Sequence, residues 1–176
     1  MNRLLDELMH VHSRLASREN FSSLLVGQCA SVEKDYISSL AATLLTLGGV
    51  HGPTEQVVNF LEDDNKGNDW VTSQIERSLL VPGWGSDFYK REPDPTFVLL
   101  SSYLCEDNPR VWAKIERTTS HFHALGKKLF PNAACYTAAV AITEGIPAEV
   151  SPYLLIKGRL EAWTAIYLRN KTTRLP

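Results

Sequence analysis

The sequence predicts an all-α protein, and three observations carry that prediction. Apolar residues recur at helical spacing along nearly the whole chain. No stretch alternates apolar and polar residues convincingly enough to make a strand. Gly, Pro, Asn and Asp fall where helices begin and end. At 176 residues, with 44% hydrophobic residues, the chain is long enough to bury a core of its own.

Taken in order, Leu4, Leu5, Leu8, Met9 and Leu15 form the stripe of a first amphipathic helix. A second helix is expected to begin near Ser31, with Glu33 in its first turn, and to stop at Gly48-Gly49. Pro53 suits the first turn of a third, TEQVVNFLED. The polar run Asp63 to Asn68 must be a loop, after which Asp69 caps a helix through Ile75 and Leu79. VPGWGSDFYKREPDP, rich in Gly and Pro, reads as an ordered loop. Asp94-Pro95 and Asn108-Pro109 are two cap-plus-first-turn signals. The second opens a long helix carrying Val111, Trp112, Ile115, Phe122, Leu125 and Leu129, which Pro131 breaks. An Ala-rich helix follows Asn132 as far as Gly145, and a last one runs from about Pro152 to Asn170. About eight helices result. No Pro/Gly/Ser linker divides them, so residues 1–176 read as one domain.

Composition narrows the function. Eighteen basic against twenty acidic residues leave a net charge of −2, which excludes the basic footprint of a nucleic-acid or anionic-membrane binder. Three cysteines, 29, 105 and 135, are an odd number that suggests a reducing, cytoplasmic compartment rather than a disulfide scaffold. Asp6, Glu7 and His10 interrupt the opening segment, so it is not read as a signal peptide. No apolar run is long enough to span a bilayer.

Four segments carry residues with chemistry. In GGVHGP, His51 stands between glycines where backbone approaches a ligand closely, although a His in such a turn is more often incidental. VPGWG (Val81, Pro82, Gly83, Trp84, Gly85) offers main-chain groups to a flat polar ligand, with Trp84 as a stacking face and Lys90 and Arg91 to meet phosphate. A structural connector fits that segment about as well. Cys135, in LFPNAACYTAA, reads as an inert buried thiol, since no base is at hand. Arg159, between Leu155 and Trp163 in helical register, either snorkels or binds a carboxylate. His10/His12 and His121/His123, spaced i, i+2, point to different helix faces, cannot chelate one metal there, and read as surface residues.

The order of these segments resembles the second half of the citrate synthase family, which includes citryl-CoA lyases. That family shows G-x-x-H-G-x-x-x-E, P-G-x-G-H-x-x-x-K-x-x-D-P-R, P-N-x-D-x-Y and R-x-x-G-W in the same order as GGVHGPTEQVV, VPGWGSDFYK, LFPNAACYTAA and LLIKGRLEAW here. Residues from about 20 to 176 take part in the likeness. The resemblance implies a helical, dimeric protein, truncated because the family's N-terminal half has no counterpart. Residues of about 52–145 would then be the small-domain part, and 1–51 and 146–176 a remnant of the large domain.

The resemblance also implies chemistry. In that family an Asp removes the α-proton of an acyl-CoA, and a His on the HG loop stabilises the enol. A second His polarises a 2-oxo acid, and arginines hold its carboxylates. Carried over, His51 falls on the first His, while Ser86 stands where the second would be and Ala134 where the Asp would be. Thr96 replaces the Arg of D-P-R, with Arg91 nearby, and Leu24 stands where a further substrate His is expected. Arg159 and, more weakly, Arg174 match carboxylate-binding arginines. Val81 to Gly85 and Lys90 keep the pattern that holds coenzyme A.

Removing a positioned base typically lowers rate by about 10²–10⁴-fold. Unless Asp87, Glu144 or Cys135 has been recruited, condensation should therefore be negligible. The leading expectation is a homodimer that binds CoA, an acyl-CoA or a carboxylate, without metal or covalent cofactor. Two alternatives stand beside it. One is an acyltransferase or C–C lyase with altered chemistry relying on His51; the other is a non-catalytic partner of a larger homologue.

Overall fold

The computed structural model describes residues 3–16, 21–32, 34–47, 52–86 and 89–172. Of these described residues 73% are helical, in nine α-helices and two 3₁₀ turns, and no strand is present among them. They are α1 (Arg3–Ala16), α2 (Phe21–Ser31), α3 (Tyr36–Leu44), α4 (Thr54–Glu62), α5 (Asn68–Glu76), α6 (Val98–Asp107), α7 (Pro109–Ala124), α8 (Ala133–Thr143) and α9 (Ser151–Thr172). Short 3₁₀ turns at Pro95–Phe97 and Ala148–Val150 lead into α6 and α9.

Side-chain caps explain several boundaries. Asp94 accepts from the Thr96 amide, Asn108 from Val111, and Asn132 from both Ala134 and Cys135. Lys114 works at the other end of a helix. Its buried ammonium donates to the carbonyls of Phe60 and Asp63, each at 2.7 Å, and closes the C-terminus of α4.

The structure corrects several boundaries. The helix expected from Ser31 to Gly48 runs only over Tyr36–Leu44: Ser31 ends α2, and Asp35 starts α3 by accepting from the amide and hydroxyl of Ser38. Glu33, Gly48 and Gly49 lie outside the described residues. α5 begins after Gly67 rather than Asp69, which sits in its first turn where a carboxylate meets the helix dipole. α5 also ends at Glu76 rather than Leu79, and α7 ends at Ala124, well before Pro131. Both ends are Schellman closures, with Leu79 N–H donating to Gln74 O and Lys127 N–H to Phe122 O.

Two apolar clusters hold the helices. The larger draws Leu4, Leu8 and Val11 of α1 together with α4, α6, α7 and α8. The smaller joins Ala16, Val26 and Ala30 to Trp163 and Tyr167 of α9. α9 is about 33 Å long at 1.5 Å per residue and runs along both α1 and α2. It passes tightly against α1 at Gly158, where an added Cβ would stand 2.5 Å from His12 Cβ. Only glycine lets α1 and α9 pack this tightly.

Candidate functional site

The PGWG loop owes its shape to two glycines and to α8. Gly83 (φ +93°) is wedged between Val57 and Cys135, whose atoms lie 3.1 to 3.3 Å from where a Cβ would be. Gly85 also has φ +93°, a conformation close to free only for glycine. Gly85 N–H donates to Phe130 O, Asn132 N–H donates to Gly83 O, and the Asn132 amide donates to Gly85 O. One asparagine thus caps α8 and anchors the loop to it.

Trp84 corrects the expectation of a free stacking face. It is 8% exposed, its indole N–H donates to Thr119, and its ring packs edge-on against Phe60 and tilted against Phe122. The ring holds the loop down onto the core.

Beside this loop lies a cavity of about 910 Å³, within the size range of small-molecule sites. The structure brings Val81, Pro82, Gly83, Trp84, Gly85, Ser86 and Lys90 to its wall together. It adds Lys127 and Lys128, which the sequence reading missed. They follow the closure at Gly126, and an uninterrupted α7 would have turned them elsewhere. All three lysines are exposed, and no carboxylate lines the cavity among the described residues. A chain of net charge −2 therefore presents an anion-attracting wall here. Arg91 is exposed and does not line it.

The positions tied to catalysis are occupied by groups with other work. Ser86 accepts from the Tyr89 amide. Thr96 donates to Asp94 in the cap before α6. Ala134 is buried, and its amide is taken by Asn132. Of the possible substitute bases, Cys135 is fully buried, and burial pushes its thiol far up, so no thiolate forms near neutrality. Glu144 follows the far end of α8, about 15 Å along the axis from Ala134. His51, Asp87 and Arg174 lie outside the described residues. Leu24 is half exposed on α2.

Arg159 is 7% exposed and does not snorkel. Its Nη1 donates to Ser22 Oγ at 3.3 Å, its Nε has no partner, and no carboxylate pairs with it among the described residues. Burial lowers its pKa to about 10, so it is still charged at neutral pH. A buried guanidinium without an acid is costly unless something anionic meets it.

His12 is the functional candidate the sequence reading missed, and the surface assignment is wrong for it. It is fully buried, with Nε2 2.7 Å from Thr137 Oγ1. The Thr137 hydroxyl also lies 2.6 Å from Ala133 O, and His12 Nδ1 has no partner among the described residues. Burial and, second, the Arg159 charge hold its pKa well below the usual value, which keeps the imidazole neutral. The available signal was helical register, since His12 follows Leu8 by four residues on the apolar stripe of α1. His121 is also tied in, bonded to Thr72, whereas His10 and His123 are exposed.

Fold and site together define a helical protein with a cationic cavity and, on α9, a buried arginine that pairs with no acid among the described residues. The family described as citrate synthase, C-terminal domain, matches residues 2–175, and the chain belongs to it. It is 27% identical to a citrate synthase of Corynebacterium glutamicum over 95% of this chain and 42% of that protein. The citryl-CoA lyase structure from Hydrogenobacter thermophilus superposes with a TM-score of 0.79 at 23% identity, covering 100% of this chain and 73% of that one. The ATP citrate lyase of Methanothrix soehngenii, solved with citrate and coenzyme A, gives 0.78 at 17% identity, covering 98% and 32%. The chain thus spans under half the length of the curated relative. No described helix is long and apolar enough to cross a membrane.

Proposed function

We propose that this chain binds coenzyme A or an acyl-CoA together with a small carboxylate, and has lost ordinary citrate-type condensation. The observation that carries the reading is the cavity beside the PGWG loop, walled by Val81–Gly85 and by Lys90, Lys127 and Lys128, with no acid among its described lining. The main chain at Val81 and Pro82, outside the bonds that tie Gly83 and Gly85 to Phe130 and Asn132, suits a flat base, and the three ammonium groups suit phosphates. Arg159 is the carboxylate donor, since burial without an acid leaves it unmatched until an anion arrives. Loss of condensation follows from chemistry at one position. An acyl-CoA α-carbon needs a base, a methyl group cannot serve, and neither Cys135 nor Glu144 is placed to substitute, which leaves Asp87, outside the described residues, as the remaining candidate.

A panel of acyl-CoAs offered with 2-oxo acids tests this, with free thiol and products followed together. The expected result is a CoA-dependent rise in Tm and no condensation product. Condensation at an ordinary enzymatic rate would overturn the loss of activity; no response to CoA would overturn the binding.

A second copy of the chain is part of the proposal. Ile37 and Leu45, at either end of α3, are 71% and 87% exposed, apolar surface that a homodimer would cover. Light scattering behind a sizing column is expected to give twice the chain mass. We place the protein in the cytoplasm and take residues 52–145 as the small-domain part, with flanking segments contributing to the other side of the site.

A further inference from the structure

The chain leaves α5 through a closure at Ser78 (φ +56°) and Leu79, whose N–H donates to Gln74 O. An apolar residue at the second position of such a closure commonly folds back onto its own helix. Leu79 is instead 45% exposed and Leu80 72% exposed, although the next residue, Val81, is buried. Both leucines stand at the wall of the cavity beside the PGWG loop. The matching closure at Gly126 delivers Lys127 and Lys128 to the same wall, where Lys90 joins them. None of the three lysine side chains makes a hydrogen bond or ion pair among the described residues. Two exposed leucines bordered by three cations, with no carboxylate in the described lining, complement an amphipathic helix whose polar side is acidic.

We infer that the acyl group reaches this cavity on a carrier protein, whose acidic helix docks over Leu79 and Leu80, sets its carboxylates on Lys90, Lys127 and Lys128, and sends a phosphopantetheine arm into the cavity. The inference rests on the reading of the cavity as an acyl-thioester site and adds the partner that presents the thioester. Coenzyme A ends in the same pantetheine arm, and its phosphates match the lysines. Phosphates leave the two leucines unaccounted for. A helix covers the apolar strip and meets the charges at once, because its apolar residues at i, i+3 and i+4 share one face and its acids flank them. The cavity, about 910 Å³, has room for the arm and its acyl group.

Calorimetric titrations of the whole chain with phosphopantetheine, with coenzyme A and with an acidic acyl carrier protein in its holo form test this. The holo-carrier is expected to bind at least tenfold tighter than phosphopantetheine alone, since its helix adds contacts that the arm lacks, and to weaken as salt screens the lysines. Leu79→Ser/Leu80→Ser should lose that advantage. Both side chains are exposed, so the variant should fold, which circular dichroism and an unchanged melting transition confirm. Equal affinity for holo-carrier and phosphopantetheine overturns the inference, and so does an advantage that the folded double variant keeps. Binding of coenzyme A without binding of the carrier overturns the docking surface and leaves the acyl-thioester reading standing. Binding of none of the three overturns both.

Discussion

At the loop over Val81–Ser86, polar groups are paired inside the protein, and the charges stand outside on Lys90, Lys127 and Lys128. Where α1 crosses α9 the arrangement is reversed. An arginine and a histidine are inside, each with an atom unpaired, and nothing charged compensates them among the described residues. The contrast separates two ways of placing polar groups in the fold. The loop is rigid before any ligand arrives, because α8 and two positive-φ glycines hold it. The crossing leaves buried polar atoms without partners, so the protein carries a standing cost there.

The largest effect expected on that contrast is at the loop. Gly83→Ala must hold φ near +93° while pressing on Val57 and Cys135. It should lower stability by roughly 2–4 kcal/mol in urea unfolding. A value near zero would mean the loop is not rigid. At the crossing the sign should reverse. Arg159→Met removes a buried, unpaired charge and should raise the stability of the unliganded chain by about 2 kcal/mol while abolishing any Tm response to carboxylates. Destabilisation there would point to an unrecognised internal partner.

Acid should also act on the crossing. The folded pKa of His12 is depressed by burial and by Arg159, so the unfolded chain takes up the proton first. Stability is then full above the unfolded value near 6.5 and falls as pH drops below it, by on the order of 1 kcal/mol per pH unit. His12→Gln should flatten this slope in denaturation curves between pH 6.5 and 5.5.

The smallest change sharpens the rigid side, at the cavity rim. Three helix ends share one closure, with Gly126 and Gly145 at the left-handed position of two and Ser78 (φ +56°) at the third. Ser78→Gly should therefore stabilise by about 1 kcal/mol. No gain in Tm would show that the serine hydroxyl offsets its backbone strain.

Most of the helical plan was legible because its signals are local. Asn108, Asn132 and Asp94 announce their helices in sequence and cap them in space. α2 was not legible, for a physical reason. Its buried face carries Ser22 and Ser23, which serve Arg159, Trp163 and the Ala16 carbonyl, while Leu24 is exposed. A helix that turns serines inward shows no apolar stripe. Lys127 and Lys128 were hidden behind the closure at Gly126. His12 was passed over because spacing was asked about metal chelation rather than burial. The PGWG wall was legible from its glycines, but the fate of Trp84 was not, since only the fold shows Phe60, Phe122 and Thr119 gathered round its ring.

The account turns on whether the cationic wall receives an acyl carrier's phosphates. Calorimetric titration with coenzyme A, on the unaltered chain and on Lys127→Glu/Lys128→Glu, addresses this most directly. These lysines are exposed, and neither side chain makes a hydrogen bond or ion pair among the described residues. The account predicts saturable heat with the unaltered chain and at least tenfold weaker binding in the charge-reversed one, where repulsion replaces attraction. No heat in the unaltered chain, or equal affinity in both, would contradict it.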